Sequence, residues 1–174
     1  MNLPNKLTIG RIIAVPVFIT AYLLGLYIPA FIIFVLAAIT DLLDGKIARS
    51  RGLVTNFGKI MDPLADKILV YSALCLFIED GTLPAWSLII ILAREFVVSG
   101  MRTVAAAEGT VVAAGMSGKI KTVLQMIAVS ILILAGTGIE MIFQTGLIIF
   151  WASLIMTIYS GAKYIYDNKN VFSM

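Results

Sequence analysis

Four aspartates stand in two pairs whose spacing suits joint work at one site. Asp41 and Asp44 are three residues apart, Asp62 and Asp66 four apart, all within the stretch DLLDGKIARSRGLVTNFGKIMDPLAD. On a helix, residues three and four apart share a face. Two helix ends carrying these pairs can therefore face each other with four carboxylates between them. Carboxylates that close repel one another and tend to protonate unless cations sit among them. Oxygen-only ligands suit Mg²⁺, Mn²⁺ or Ca²⁺, and Mg²⁺ usually completes its shell with substrate phosphates. Gly45 and Gly58 leave room for a ligand beside the backbone. Arg49 reaches a phosphate from one side. The alternative for any single aspartate is an ordinary ion pair with Lys46, Arg49, Arg51 or Lys59 at a wet helix end. Apolar runs at 29–39 and 68–78 flank the stretch, and charges placed at the edge of such segments are costly and seldom idle.

The whole set is more specific than its parts. Asp41-x-x-Asp44-Gly45-x-x-Ala48-Arg49, followed by Gly58-x-x-x-Asp62-x-x-x-Asp66, resembles the signature of the CDP-alcohol phosphotransferase family at every fixed position. The resemblance implies a membrane enzyme of six transmembrane helices and two divalent metals, Mg²⁺ or Mn²⁺. Such an enzyme moves a phosphatidyl or similar group from a CDP-linked donor to an alcohol and releases CMP. Carried over by position, Asp41, Asp44 and Asp62 would bind metal. Asp66 would touch metal and act as the base. Gly45, Ala48, Arg49 and Gly58 would surround the CDP moiety.

Composition agrees with a membrane setting. The 174 residues are 60% hydrophobic, with a mean hydropathy of +1.02. A crossing needs about 20 apolar residues, so six would use roughly 120 and leave only short loops. The expected architecture is one all-α domain over residues 1–174, a six-helix bundle without a soluble appendage. Cys75 is the sole cysteine and histidine is absent, which argues against a disulfide and against a zinc site. No cleavable signal peptide, internal repeat or nucleic-acid partner is expected.

Six apolar segments position the aspartates. The first is expected from about Lys6 to Tyr27, with Asn5 as N-cap and a kink at Pro16. Arg11, about one turn inside, either snorkels to the interface or donates to the CDP pyrophosphate. The second runs from Pro29, at home in a first turn, to about Arg49, so Asp41 and Asp44 lie towards its C-terminal end. The third starts near 55–58 and reaches about Ile78. There, either Asp62 caps a helix beginning at Pro63 or a longer helix bends at that proline. Both options set Asp62 and Asp66 near a helix N-terminus, whose partial positive charge favours carboxylates and phosphate. An acidic turn at 79–83 leads to a fourth segment from Pro84 to about Ala107. A fifth covers about Lys119 to Ala135. GTGIEMIFQTG reads as a turn, and the sixth segment covers about Leu147 to Ile165.

Charge then sets the orientation. Lys6, Arg11, Lys46, Arg49, Arg51, Lys59, Arg102, Lys119, Lys121, Lys163 and Lys169 fall on one side. The opposite turns hold Glu79, Asp80 and Glu140 and no Lys or Arg. By the positive-inside tendency, both termini and the carboxylate site face the cytoplasm, in a multi-pass protein of the inner membrane.

A second constellation is cationic. Lys119 and Lys121 open the fifth segment, Arg102 closes the fourth, and Arg94 lies deeper beside Glu95. Neighbours on a helix do not face each other, so Arg94 is expected to find its partner elsewhere in the bundle rather than in Glu95. Headgroup contacts would explain the other cations singly. Together, Arg94, Arg102, Lys119 and Lys121 suggest a site for the phosphate of the acceptor, with Lys163 a weaker member. The opening NLPNKLTIGRIIAVPVF and the stretch AREFVVSGMRTVAAAEGTVVAAGMSGKIKTVLQM look like the bacterial branch of the family that uses CDP-diacylglycerol as donor and sn-glycerol-3-phosphate as acceptor. The family resemblance further suggests a homodimer. A sister enzyme using inositol phosphate, serine or phosphatidylglycerol is the nearest alternative. A divalent-cation transporter is a distant one, because the acids cluster at one end of the segments and do not line a path through them.

Overall fold

The computed structural model describes residues 3–50, 56–107, 109 and 115–169, with side chains except at 3–6, 41–50, 56–60, 62, 63 and 66. The described residues are all-helical: α1 (Leu3–Leu23), α2 (Tyr27–Ser50), α3 (Asn56–Glu79), α4 (Ala85–Ala107), α5 (Met116–Ala135) and α6 (Glu140–Asp167). α5 packs along α6, α1 against α2 and α3, and α4 against α6, while α2 touches both α3 and α5. Three connections, at 24–26, 80–84 and 136–139, are short enough to fold consecutive helices back on each other. Gly81 takes φ +79°, a left-handed conformation that glycine adopts without cost. In the same turn Asp80 accepts from the Thr82 amide at 3.0 Å and from the Tyr22 hydroxyl at 2.6 Å. The acidic turn is thereby tied to α1.

The core is apolar and aromatic. Phe18, Phe34, Phe77, Leu74, Ile133 and Phe150 are fully buried. Phe18 meets Phe34 at 5.8 Å between ring centroids, and Tyr22 meets Phe77 edge-on at the same separation, geometries that aromatic quadrupoles favour. The outer faces are apolar too: Ile13, Ile89, Phe96, Val123, Ile148 and Ile155 are exposed. By length and composition, α5 and α6 are each able to cross a membrane.

Several expected boundaries move. Helix α1 begins at Leu3, so Asn5 lies inside it rather than at the expected N-cap, and the helix continues through Pro16. Helix α3 runs unbroken from Asn56 past Pro63, which removes the reading in which Asp62 caps a helix starting there. Helix α6 starts at Glu140, several residues before the expected Leu147. Its polar first turn, held by a 2.6 Å bond from Gln144 Nε2 to Glu140 Oε1, has the composition of a turn but the spacing of a helical pair.

Close contact between α5 and α6 depends on Gly146, where an added Cβ would lie 2.8 Å from Leu132 Cδ2. Gly100 has nothing within 4 Å of the same position, so it serves as a matched control for the helical cost of the new side chain. Gly146→Val is expected to lower the melting temperature in detergent relative to Gly100→Val, since overpacking costs about 1–3 kcal/mol. Equal melting temperatures would remove this glycine from the packing account.

Candidate active site

The helices carry both aspartate pairs in register. Asp41, Asp44, Gly45, Ala48 and Arg49 all fall in the C-terminal part of α2. Gly58, Asp62 and Asp66 all fall in the N-terminal part of α3. Each pair therefore spans about one turn of continuous helix, and the two helices are in contact. The side chains of these eight residues lie outside the described ones. The register and the all-carboxylate donor set fit a hard divalent cation.

Two cavities adjoin this region. One, a cavity of about 300 Å³, is walled by Ala37 and Ala38 of α2, one turn before Asp41, and by Lys67 of α3, directly after Asp66. Arg11, Glu95 and Lys121 complete its polar end. Arg11 is only 2% exposed. It sits inside the bundle, and the snorkelling alternative falls away. Arg11 also lines a groove of about 360 Å³ between α1 and α2, together with Thr40, the residue before Asp41.

Glu95 organises the cations. Its Oε1 accepts from Arg94 Nη1 at 2.7 Å and from Lys121 Nζ, and its Oε2 lies 3.4 Å from Lys67 Nζ. The expectation that Arg94 avoids its neighbour is therefore wrong. Adjacent Cβ atoms diverge, but the long guanidinium swings back round the helix because α5 and α6 leave it a passage. A Cβ on Gly161 would lie 2.8 Å from Arg94 Cγ, and one on Gly118 would lie 3.2 Å from Arg94 Nη2. In that passage Nη2 donates to Ser160 Oγ at 3.2 Å, while the buried Nε makes no hydrogen bond.

On the far side of Arg94 is a smaller cavity of about 110 Å³, lined also by Arg102, Ser117, Ser160, Lys163, Tyr164 and the carboxylate of Asp167. Arg102 donates from Nε to the Tyr164 hydroxyl at 3.3 Å and lies 5.4 Å from the centre of that ring. Among the described residues, neither Arg102 nor Lys163 takes part in an ion pair.

The structure thus sorts the expected acceptor-phosphate residues into three places. Arg94 and Arg102 share the small cavity with Lys163. Lys121 faces the cavity of about 300 Å³ across Glu95. Lys119 is exposed and lines neither. Two residues apart on one helix, Lys119 and Lys121 must point in very different directions. Sequence reasoning gave no site role to Glu95, Lys67, Ser160 or Gln125. The available signal for Glu95 was its depth: an acid within an apolar helix needs a partner.

Comparison with known proteins extends these observations along the chain. A family model described as CDP-alcohol phosphatidyltransferase matches residues 1–159. A Bacillus subtilis protein named CDP-diacylglycerol–glycerol-3-phosphate 3-phosphatidyltransferase is 42% identical over 183 aligned residues, covering 96% of this chain and 95% of its own. A Rickettsia felis protein of the same name is 42% identical over 176, covering 98% and 97%. A Mycobacterium tuberculosis protein named probable phosphatidylglycerophosphate synthase is 36% identical over 170, covering 94% and 80%. Likeness of this extent spans the aspartate pairs, the Glu95 cluster and both cavities, and the chain belongs to the CDP-alcohol phosphatidyltransferase family.

Proposed function

We infer that this chain transfers the phosphatidyl group of CDP-diacylglycerol to sn-glycerol-3-phosphate, giving phosphatidylglycerophosphate and CMP. The observation that carries the reading is a cavity between α4, α5 and α6 lined by three cationic side chains, Arg94, Arg102 and Lys163, against one carboxylate, Asp167, in a chain whose α2 and α3 bear the eight signature residues. A phosphorylated acceptor needs such a site, and an uncharged alcohol such as serine does not. The names of the relatives agree with this choice of acceptor.

In the proposed mechanism the four aspartates would hold two divalent cations, Mg²⁺ or Mn²⁺, which would neutralise charge on the pyrophosphate and on the departing CMP. Arg49 and Arg11 donate to the CDP phosphates, and Gly45, Ala48 and Gly58 let the nucleotide lie close to the backbone. Arg94, Arg102 and Lys163 hold the acceptor phosphate. Of the other two expected cations, Lys121 steadies Glu95 and Lys119 lies at the headgroups. Asp66 takes the proton from the primary hydroxyl of the acceptor. That oxygen forms a bond to the phosphorus bearing diacylglycerol, and the bond from this phosphorus to the bridging oxygen of CMP breaks. Base assistance of this kind contributes about 10²- to 10⁴-fold, and fixing the two substrates in line supplies more.

The same reading makes all six helices transmembrane, with both termini and the site on the cytoplasmic side of the inner membrane. The exposed apolar faces of α1, α2, α4, α5 and α6 support it, because a water-facing surface rarely carries so much large aliphatic side chain. A homodimer through those faces follows the family resemblance.

Five outcomes test the proposal. Asp66→Asn is expected to keep CDP-diacylglycerol binding and lose turnover at least 10²-fold. Chelation is expected to stop the parent enzyme reversibly, with added Mg²⁺ restoring the parent but not the variant. Full activity of the variant would contradict the base assignment. In an acceptor panel, glycerol-3-phosphate is expected to be used and inositol phosphate and serine refused. Arg102→Ala should raise KM for glycerol-3-phosphate at least tenfold, a typical loss for a charge-assisted bond, and leave KM for CDP-diacylglycerol nearly unchanged. An equal rise in both would make Arg102 structural. A cysteine placed at Ser50 in a Cys75→Ser background should be labelled in inverted vesicles and protected in sealed cells. The reverse pattern would overturn the orientation.

A further inference from the structure

The 300 Å³ cavity beside Lys67 and Lys121 contains a polar side chain that the mechanism above does not use. Gln125 of α5 lines it, is 5% exposed, and has an amide Nε2 without a hydrogen-bond partner. A buried amide donor left unpaired is costly, and native structures seldom keep one without a use. Gln125 follows Lys121 by four residues, so the two share a face of α5, with Gln125 about 6 Å further along the helix.

The lining of the cavity changes character between these two residues. Arg11, Lys67, Glu95 and Lys121 form one end, while Ala38, Val70, Val123, Met126 and Ile127 form much of the remainder. A ligand that suits this sequence of surroundings is anionic at one end and apolar at the other. Between them, about one helical turn below the charge, it presents a neutral oxygen acceptor. A diacylglycerol phosphate has this order: phosphate, ester carbonyls, acyl chains. Glycerol-3-phosphate does not, since it has no apolar part and its phosphate matches the smaller cationic cavity.

We propose that Gln125 donates a hydrogen bond to an ester carbonyl of the diacylglycerol portion of the donor, whose acyl chains begin in the apolar part of this cavity. The inference rests on the phosphatidyl-transfer reading. Gln125 is then a binding residue that selects ester-linked over ether-linked lipid and sets how deep the donor sits.

The test compares CDP-diacylglycerol with its dialkyl ether analogue, which lacks both carbonyls, using the full chain in mixed micelles with Mg²⁺. The parent is expected to favour the diester in kcat/KM by about three- to tenfold, the range of one neutral hydrogen bond. Gln125→Leu should bring that ratio to within about twofold of unity, through a higher KM for the diester and with KM for glycerol-3-phosphate unchanged. Gln125→Met provides a second apolar variant of similar volume should Gln125→Leu fold poorly. For both variants, the rise in melting temperature on adding the diester should fall to that given by the diether, a readout independent of turnover. A preference that survives substitution, or a rise in KM for glycerol-3-phosphate instead, would overturn the proposal. A parent that uses both lipids equally well would also overturn it, yet leave phosphatidyl transfer standing. Only failure of the parent to use the diester with glycerol-3-phosphate would remove the underlying reading.

Discussion

One half-buried carboxylate joins most of this bundle. Glu95 of α4 accepts from Lys121 of α5 and pairs with Lys67 of α3, and its neighbour Arg94 continues the chain of contacts to Ser160 of α6. Two unit charges 4 Å apart interact by about 4 kcal/mol at an effective dielectric of 20. Three cations gathered here without an anion would drive the helices apart. With Glu95 among them, each cation has an attractive partner at contact distance, and the group retains a surplus of two positive charges. Ion pairs inside a bundle are weak evidence of stability, because desolvation offsets much of the attraction. Their better-attested use is to fix geometry. Here one carboxylate oxygen bridges Lys121 and Arg94, which line different cavities.

That separation depends on what the helices omit. Arg94 reaches from α4 towards α6 through space that Gly118 and Gly161 leave vacant. Small residues commonly let helices approach closely, and Gly146 does this against Leu132. Gly161 does something different, because its missing side chain is replaced by the stem of an arginine. The guanidinium is then fixed by packing along its length as well as by hydrogen bonds at its tip. Pre-ordering of this kind lowers the entropic cost of meeting a phosphate. The Nε of Arg94 is a donor for which the described residues supply no acceptor.

Sequence alone made the helices and the aspartate register legible, because both depend on local spacing. Six apolar runs gave six helices, and the i,i+3 and i,i+4 pairs needed only continuous helix to share a face. The failures were of two kinds. At the start of α6, Gly138, Glu140 and Gln144 suggest a turn by composition, yet Glu140 and Gln144 form a helical pair that composition cannot reveal. The cation group failed for a longer-range reason. Which of Lys119, Lys121, Arg94 and Arg102 meet depends on how α4, α5 and α6 are rotated about their axes, and a list of charges contains no such information. Gln125 was invisible for the same reason, since a single glutamine in an apolar helix says nothing until its neighbours are known.

The proposed chemistry asks two anions to approach each other, and the bundle meets that demand through geometry. A pyrophosphate and a phosphate monoester repel, so a single pool of positive charge would let both bind there and compete. Dividing the cations between two cavities, with Glu95 as the wall, gives each substrate its own counter-charge and discourages exchange. Nearness to the wall then matters in opposite ways. The acceptor phosphate finds the Lys121 end taken by the donor's phosphate and its cations partly neutralised by Glu95, while the acceptor hydroxyl is uncharged and passes close to the carboxylate at little cost. The acceptor is therefore steered to enter with its phosphate towards Arg102 and Lys163 and its free hydroxyl towards the aspartates. In this account the negative charge of Glu95 orients the acceptor, just as the cations around it hold both substrates.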